Sequence, residues 1–464
     1  MISPLESKIL DINSEACGVY VDILMDNAGA ALFDEVSKRS GGKKILIVCG
    51  KGNNGGDGFA CAKRFGKDAD VALLFPPEEI RTEEAAYFFN LLDAEPVMFS
   101  DVDLKKYDVI ADCVLGIGVR SPLDDVHTDY VNRLKKFKGC IVSADVPTGF
   151  GTECSFVPDV TVTFHDVKEG MTKDNCGEIV IADIGIPADA SRLVGPGDML
   201  RYPIPKRGSH KGQNGRLLIV GGGPYIGAPA MAGMAAFRVG VDLVHIATPK
   251  RSFVPIASMT PIFIMHQTSD DELTENDVSD LLELSKNVDA VLIGPGLGTA
   301  DRTMRAVRMF VEKCDKPTVV DADGITAISS MPVIPGNVII TPHRRELAAF
   351  SGDGDDIASV QRISAERNVT VLLKGEEDVI VHSDRIRYNE TGTPAMTVGG
   401  TGDVLAGIVS GLMSKGMNAF DSACVGAYIC GLAGEYAFSE YSYGLVATDV
   451  IDEIANVLID HLDV

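Results

Sequence analysis

The chain is short of positive charge. Its 464 residues carry 42 Lys and Arg against 66 Asp and Glu, a formal net charge of -24. That deficit argues against nonspecific binding to nucleic acid or to an anionic membrane, since both need a basic surface. It leaves room for phosphate-bearing small ligands, because glycine loops and helix starts bind anions through backbone N–H groups. Closely paired cysteines are missing as well. None of the ten stands in a CxxC arrangement. A zinc site is therefore not expected, and Cys49, Cys140, Cys424 and Cys430, set in apolar stretches, read as buried free thiols of a reducing, cytoplasmic compartment. No apolar run reaches the roughly 18 residues of a membrane span, and the opening MISPLESKILDINS lacks the apolar core of a secretory leader. A Walker sequence, GxxxxGKS or GxxxxGKT, is absent too. Phosphoryl chemistry on this chain would need another architecture.

What is present is ample apolar material. Hydrophobic residues make up 45% and charged residues 23%, enough for sizeable cores. At roughly 150 residues per domain the length allows two or three domains. Short apolar runs alternate with amphipathic stretches, which predicts an α/β fold with parallel strands. In the first part the expected strands are ILIVCG (45–50), VALLF (71–75), VIADCV (109–114) and IVSADV (141–146), followed by VTVTF and EIVIADIGI. A long opening helix is expected from Ser14 to about Val36. From about 190 to 210 the texture turns Pro- and Gly-rich without a period, which sets the domain junction there. The first domain then covers 1–200 and the second 205–464. The second restarts at RLLIVGGGP and continues through LVHIAT, AVLIGPG, TVVDAD, VIITP and VTVLLKG. A hairpin is expected at 378–389 and a helix-rich end from Gly402 to about Leu462.

Three strand ends in the first domain carry Asn, Asp, Thr and Gly in place of bulk. GNNGGDG (52–58) follows the first strand, DCVLGIGVRSP (112–122) the third, and SADVPTG (143–149) the fourth. In doubly wound folds ligands bind at the carboxyl ends of strands. Gly50, Gly52 and Gly55 spell the GxGxxG fingerprint, and Asp70 lies about 20 residues on. Asp70, however, precedes its strand, where a ribose-binding acid should end one. The better reading rests on Asn53, Asn54 and Asp57 as hard oxygen ligands, with Gly55 and Gly56 letting the chain turn before a helix start that attracts anions.

LMDNAG, GNNGGDG, DCVLGIG and DVPTG, in that order, resemble the epimerase domain of NAD(P)H-hydrate repair enzymes. The resemblance implies a Rossmann-like three-layer domain. It implies that Asn53, Asn54, Gly55, Gly56 and Asp57 contact a hydrated nicotinamide dinucleotide. Gly116, Ile117, Gly118, Val119, Arg120, Ser121 and Pro122 would line its phosphates, and Asp145 would contact the substrate and assist proton transfer. Asn54, Asp112 and Thr148 would help hold a potassium ion. The family often has Pro-Ser-Gly at the last loop, and Pro147-Thr148-Gly149 keeps the hydroxyl.

MTVGGTGDVLAGIVSGLMSKG (396–416) is the sharper signal. Gly399, Gly400 and Gly402 precede an amphipathic helix with Asp403 in its first turn. Such a helix start can stabilise a transferring phosphoryl group, and a carboxylate there can take the proton of an attacking hydroxyl. The plain alternative is an N-cap by Thr401 or Asp403. GGTGD resembles the anion-hole motif of the ribokinase-like superfamily. With HKGQNGRLLIVGGGPYIG, GPGLG, DADG, TPHRREL and LKGEEDVIV, the second domain looks like the ADP- or ATP-dependent NAD(P)H-hydrate dehydratase. This implies that Ala228, Gly298, His343 and Asp403 face the hydrated substrate and that Asp403 is the catalytic base. Lys374, Gly375, Glu376, Glu377, Asp378 and Gly402 would hold the adenine nucleotide, with Mg²⁺ as its counterion. Plainer readings stand beside these: Asp323 or His343 as a helix start bonding its neighbours, and Lys374 as a solvated strand end. The three carboxylates 376–378 depart from the small residues common there. They are unfavourable near a polyphosphate unless they point away or bind Mg²⁺.

The resemblance implies a bifunctional enzyme, an isomerase fused to a lyase. It would interconvert the R and S hydrates of NADH or NADPH and dehydrate the S form at the expense of ADP or ATP, releasing NAD(P)H, AMP or ADP, and phosphate. The rivals are a vitamin or sugar kinase sharing GGTGD and a noncatalytic nucleotide sensor. Many apolar helices make a homo-oligomer reasonable.

Overall fold

The computed structural model describes residues 1–93, 95–118, 122–352, 354 and 356–462. The chain divides into two compact units, Met1–Ala190 and Ser191–Val464.

The first unit is built on seven parallel strands: β1 (Ile45–Cys49), β2 (Ala69–Leu73), β3 (Val97–Met98), β4 (Val109–Cys113), β5 (Cys140–Ala144), β6 (Val160–Phe164) and β7 (Glu178–Ala182). Their spatial order is β3-β2-β1-β4-β5-β6-β7. Every residue of β1, β4 and β6 is buried, which is why these strands read as unbroken apolar runs rather than alternating ones. The chain leaves β1 towards β2 on one side and later places β4 on the other, so a crevice opens at the carboxyl ends of β1 and β4.

The single opening helix expected from Ser14 to Val36 is instead two helices, Pro4–Ala16 and Val21–Ser40. Gly18 takes a left-handed φ of 83° between them, a conformation that ends a helix and that glycine adopts without steric cost. The short edge strand β3 was not expected, and β2 starts two residues earlier than VALLF. Asp70 lies within β2 and accepts a hydrogen bond from the Tyr107 hydroxyl at 2.8 Å. It stands at the start of its strand, away from the crevice.

The second unit has nine strands: β8 (Arg216–Val220), β9 (Leu243–Thr248), β10 (Ile264–Gln267), β11 (Ala290–Ile293), β12 (Thr318–Val320), β13 (Val338–Ile340), β14 (Val369–Leu373), β15 (Asp378–His382) and β16 (Arg385–Asn389). Their order is β10-β9-β8-β11-β12-β13-β14-β15-β16. All pairings are parallel up to β14, and the expected hairpin β15–β16 closes that edge antiparallel. Here the strand order reverses between β8 and β11. Edge strand β10, IMHQ, has only four residues with no fully buried side chain, too weak a pattern to stand out.

Two helices of this unit pack unusually closely. A Cβ on Gly407 would lie 2.2 Å from the Ala232 carbonyl oxygen, and one on Gly411 2.8 Å from Val239 and 3.3 Å from the Ala236 Cα. Small residues four apart on the helices Gly227–Arg238 and Thr401–Ser414 thus set their register. Among the described residues no helix is long and apolar enough to cross a membrane.

Candidate functional site

In the first unit, the crevice between β1 and β4 opens into a cleft of about 500 Å³. Asn53, Asn54 and Asp57 line it, as do Gly116, Ile117, Gly118 and Asp145. GNNGGDG is not a loop, however. Gly52 is the N-cap, and Asn53 onwards is already the helix Asn53–Phe65. Gly55 and Gly56 do not turn the chain and do not line the cleft. A Cβ at Gly55 would meet the Gly50 carbonyl oxygen at 2.1 Å, and one at Gly56 would meet Met25 Sδ at 2.4 Å. Glycine is required there so that the helix can lie directly against its neighbours. Gly29 of LMDNAG serves the same contact from the other side, since its Cβ would stand 2.5 Å from the Ala60 Cβ. Pro122 is exposed beyond the cleft, and Val119, Arg120 and Ser121 lie outside the described residues.

Beneath the cleft, Asp112 and Thr148 are fully buried. Asp112 accepts from the Tyr130 hydroxyl (2.8 Å), the Ser143 hydroxyl (3.0 Å), the Thr148 hydroxyl (2.6 Å) and the Thr148 N–H (2.9 Å). Burial pushes its carboxyl above the usual range, and these donors pull it back. All four are neutral. Nearby, the buried amide nitrogen of Asn54 has no hydrogen-bond partner, a state that is uncommon and costly. The oxygens of Asp112, Thr148 and the Asn54 side chain, with one carboxylate that has only neutral partners, suit a hard cation better than a soft metal; the unmet Asn54 N–H calls for an acceptor.

Asp145 follows β5 in a left-handed conformation, φ 61°, while the Val146 N–H donates across it to the Ala144 carbonyl at 2.7 Å. His165 after β6 repeats the geometry, with φ 67° and Asp166 N–H to Phe164 O at 2.8 Å. Two such turns are strained, at about 1–3 kcal/mol each, and strain of this kind clusters at working sites. Asp145 pairs with Lys168 at 2.9 Å. The Lys168 side chain is 1% exposed and also donates to the carbonyls of Phe164 (2.6 Å) and Asp166 (3.2 Å). Asp11 completes the wall. Burial, then the nearby Asp145 charge, raises its carboxyl to about 6, against a lowering pull from Lys168. Burial, with Asp145 and Asp11, pushes Asp57 well above the ordinary range. Sequence reasoning missed Asp11 and Lys168. Both are isolated charges outside any glycine motif, and only the tertiary fold brings them to the cleft.

In the second unit the glycine loops after β8 and β11 interlock. The Gly222 N–H donates to the Pro295 carbonyl at 2.8 Å. A Cβ on Gly296 would strike the Tyr225 carbonyl oxygen at 2.2 Å, and one on Gly298 would meet Pro224 at 2.8 Å. Asp323 is not a cap. It accepts from the Gly298 N–H at 2.8 Å and ties down the GPGLG loop. Gly400 enters the Thr401–Ser414 helix with φ 104°, and that helix has no side-chain cap. Thr401 donates back to the Met396 carbonyl at 2.8 Å, and Asp403 stands half-buried in the first turn. The Ala232–Gly407 and Ala236–Gly411 contacts run in one register, which, carried back one turn, pairs position 228 with position 403.

Burial, and after it the charge of Asp321, raises the Asp403 carboxyl to about 7, with Lys374 pulling the other way. Asp321 is buried after β12. It accepts from the Thr341 hydroxyl at 2.7 Å and from Lys374 Nζ at 3.2 Å. A Cβ on Gly402 would stand 3.5 Å from that same Nζ. Lys374 is therefore no solvated strand end. Its ammonium, despite burial, is held above its ordinary range by Asp321, Glu346 and Asp403. Asp321 was missed because DADG drew attention to Asp323 alone.

His343 is the N-cap of Arg344–Ser351, accepting from the Glu346 N–H at 3.1 Å while Glu346 accepts from the His343 N–H at 2.8 Å. It is bridged to Lys374 through the backbone. Of the three carboxylates, Glu377 turns to Arg192 at 2.9 Å. Asp378 turns to the Gly375 N–H (3.0 Å) and Asn389 (3.1 Å), and Glu376 is exposed. Two of the three thus have partners of their own, which relieves the repulsion that the sequence raised.

Known proteins bear on both units. Residues 217–456 match the family described as NAD(P)H-hydrate dehydratase, and residues 21–170 match the YjeF-related protein N-terminus. The chain is 37% identical over 494 aligned residues to a bifunctional NAD(P)H-hydrate repair enzyme of Methanothermobacter thermautotrophicus, covering 99% of this chain and 95% of that one. It is 36% identical over 470 residues to the counterpart of Archaeoglobus fulgidus, covering 99% and 98%. In fold it is similar to the crystal structure of ADP/ATP-dependent NAD(P)H-hydrate dehydratase from Bacillus subtilis, co-crystallised with ATP and Mg²⁺. The TM-score is 0.51 at 24% identity, over 59% of this chain and 99% of that one. The chain belongs to the family of bifunctional NAD(P)H-hydrate repair enzymes.

Proposed function

We propose that the chain repairs hydrated NADH and NADPH, with the first unit interconverting the R and S hydrates and the second dehydrating the S form with ADP or ATP. The observation that carries this reading is Asp403, in the first turn of an uncapped helix, raised to about 7. A carboxyl poised there can take the proton of the substrate hydroxyl at neutral pH. The oxygen then attacks the terminal phosphorus of the nucleotide, and AMP or ADP leaves. The helix N–H groups and the Lys374 ammonium meet the developing negative charge. Phosphate is a far better leaving group than hydroxide, so it departs from C6 with the C–O electron pair, pushed by the ring nitrogen, and loss of a proton from C5 to water then restores the dihydronicotinamide. Ala228, Gly298 and His343 would face the substrate, and Lys374 to Asp378 with Gly402 the nucleotide. Magnesium would enter with the phosphates, which together with water usually supply most of its ligands.

In the first unit, Asn53, Asn54 and Asp57, the loop from Gly116 and Asp145 would hold the dinucleotide. Asn54, Asp112 and Thr148 would hold potassium, whose charge would offset buried Asp112. The purely neutral donors around Asp112, which leave its charge without a counterion, support that assignment. The test is to incubate the purified chain with mixed R,S hydrates and ADP or ATP. Reduced-nicotinamide absorbance should return to completion. Recovery that stops at the S fraction would refute the epimerase half, and no recovery with either donor would refute the whole.

A further inference from the structure

Three carboxyls, Asp11, Asp57 and Asp145, meet in the first unit's cleft around one ammonium, Lys168. They are not equivalent. Asp57 is buried in the helix Asn53–Phe65. One oxygen of Asp145 is engaged by Lys168 at 2.9 Å. Asp11 also lines the open space, and among the described residues no hydrogen bond reaches its carboxyl.

The helix that carries Asp11, Pro4–Ala16, is fixed in place. The Ile2 N–H donates to the Val167 carbonyl at 2.9 Å, and the Glu169 N–H donates to the Ile2 carbonyl at 3.0 Å, on either side of Lys168. Ser3 caps the helix Pro4–Ala16 by accepting from the Glu6 N–H at 3.1 Å. At the far end Asn13 donates to the Ala190 carbonyl at 3.2 Å, and Ile9 and Leu10 are buried. The helix is docked at both ends with Asp11 facing inward between them.

Resting on the epimerase reading above, we infer that Asp11 is the proton-transfer residue of the first unit. Protonated Asp11 gives its proton to the C6 hydroxyl of the hydrate. The C6–O bond breaks, its electron pair leaves with the water, and the ring nitrogen stabilises the resulting cation. Water then adds to either face of the flattened ring. As the new C6–O bond forms, the Asp11 carboxylate takes back a proton. The carboxyl ends as it began, and nothing is oxidised or reduced. Asp145 and Lys168 act on Asp11 directly, and Asp57, His165, Lys51, Arg81, Asp124 and His127 line the same cleft. Burial, and after it the Asp145 charge, keep its proton on to about pH 6 against the pull of Lys168, a range suited to both giving and taking it.

The test uses the full chain and follows R and S hydrates separately by chromatography. Asp11→Asn should slow epimerisation on the order of a hundredfold or more, while dehydration of the S form with ADP or ATP is unchanged. Asp11→Glu should restore part of the rate. The wild-type epimerisation rate should fall as pH rises through about 6, because the donor is the protonated form. Epimerisation by Asp11→Asn within threefold of wild type would overturn the assignment. So would a wild-type rate that is flat between pH 5 and 7.5, whether or not the variant folds. A wild-type chain without epimerase activity would instead overturn the reading on which this inference rests.

Discussion

Lys374 Nζ stands 3.2 Å from Asp321 Oδ1, although the strands that deliver them, β14 and β12, are separated by β13. Thr341, at the end of β13, donates to that same oxygen at 2.7 Å. Three successive strand ends thus converge on one carboxylate, and this fixes the ammonium beside Gly402 and within the field of Asp403.

Asp403→Asn is expected to lower nucleotide-driven dehydration by at least a thousandfold, since no other carboxyl occupies the helix start, and to leave R–S interconversion intact. Parallel assays of the two half-reactions check this. Dehydration surviving within tenfold would rule out Asp403 as the base.

Dehydration should rise with pH through an inflection near 7, because Asp403 acts only when deprotonated. Asp321→Asn removes the neighbouring charge that helps raise it, so the inflection should move to lower pH. The same shift has a stability consequence. The unfolded carboxyl titrates near 3.8 and the folded one near 7, so the folded state loses stability as pH rises across that window. Melting curves of Asp403→Asn and wild type should coincide near pH 3 and separate by pH 8, the variant being the more stable.

Gly407→Val should force apart the helices Gly227–Arg238 and Thr401–Ser414, because its Cβ meets the Ala232 carbonyl oxygen at 2.2 Å. A loss of about 1–3 kcal/mol in the second unit's stability is expected, with dehydration reduced and epimerisation kept. Denaturant titration together with both assays reads this out. Unchanged stability would refute the register.

If Asn54, Asp112 and Thr148 hold potassium, KCl should raise the melting temperature of the first unit more than equal LiCl does. Asp112→Asn should remove the difference. Equal melting temperatures of wild type in both salts would refute the cation site.

Much of this was legible beforehand. The runs of β1, β4, β8 and β11 announced themselves because both of their faces are buried. The glycine motifs marked the strand ends because ligand sites and close backbone approaches both exclude side chains. The break at Gly18 and the edge strands β3 and β10 were not legible, since one glycine or two to four half-exposed residues leave no period.

By itself the sequence determined that this is an α/β chain with glycine-lined strand ends and a carboxylate opening a helix. Local pattern is enough for that, because burial on both faces and forbidden side chains are written position by position. Only the tertiary structure decided that Gly55 and Gly56 serve packing, while Asn53, Asn54 and Asp57 face the cleft. It alone brought Asp11 and Lys168 to Asp145, and Asp321 and Lys374 to Asp403. Those partners are separated by tens to more than a hundred residues. Their electrostatic coupling depends on distance and burial, which exist only once the strands have taken their order.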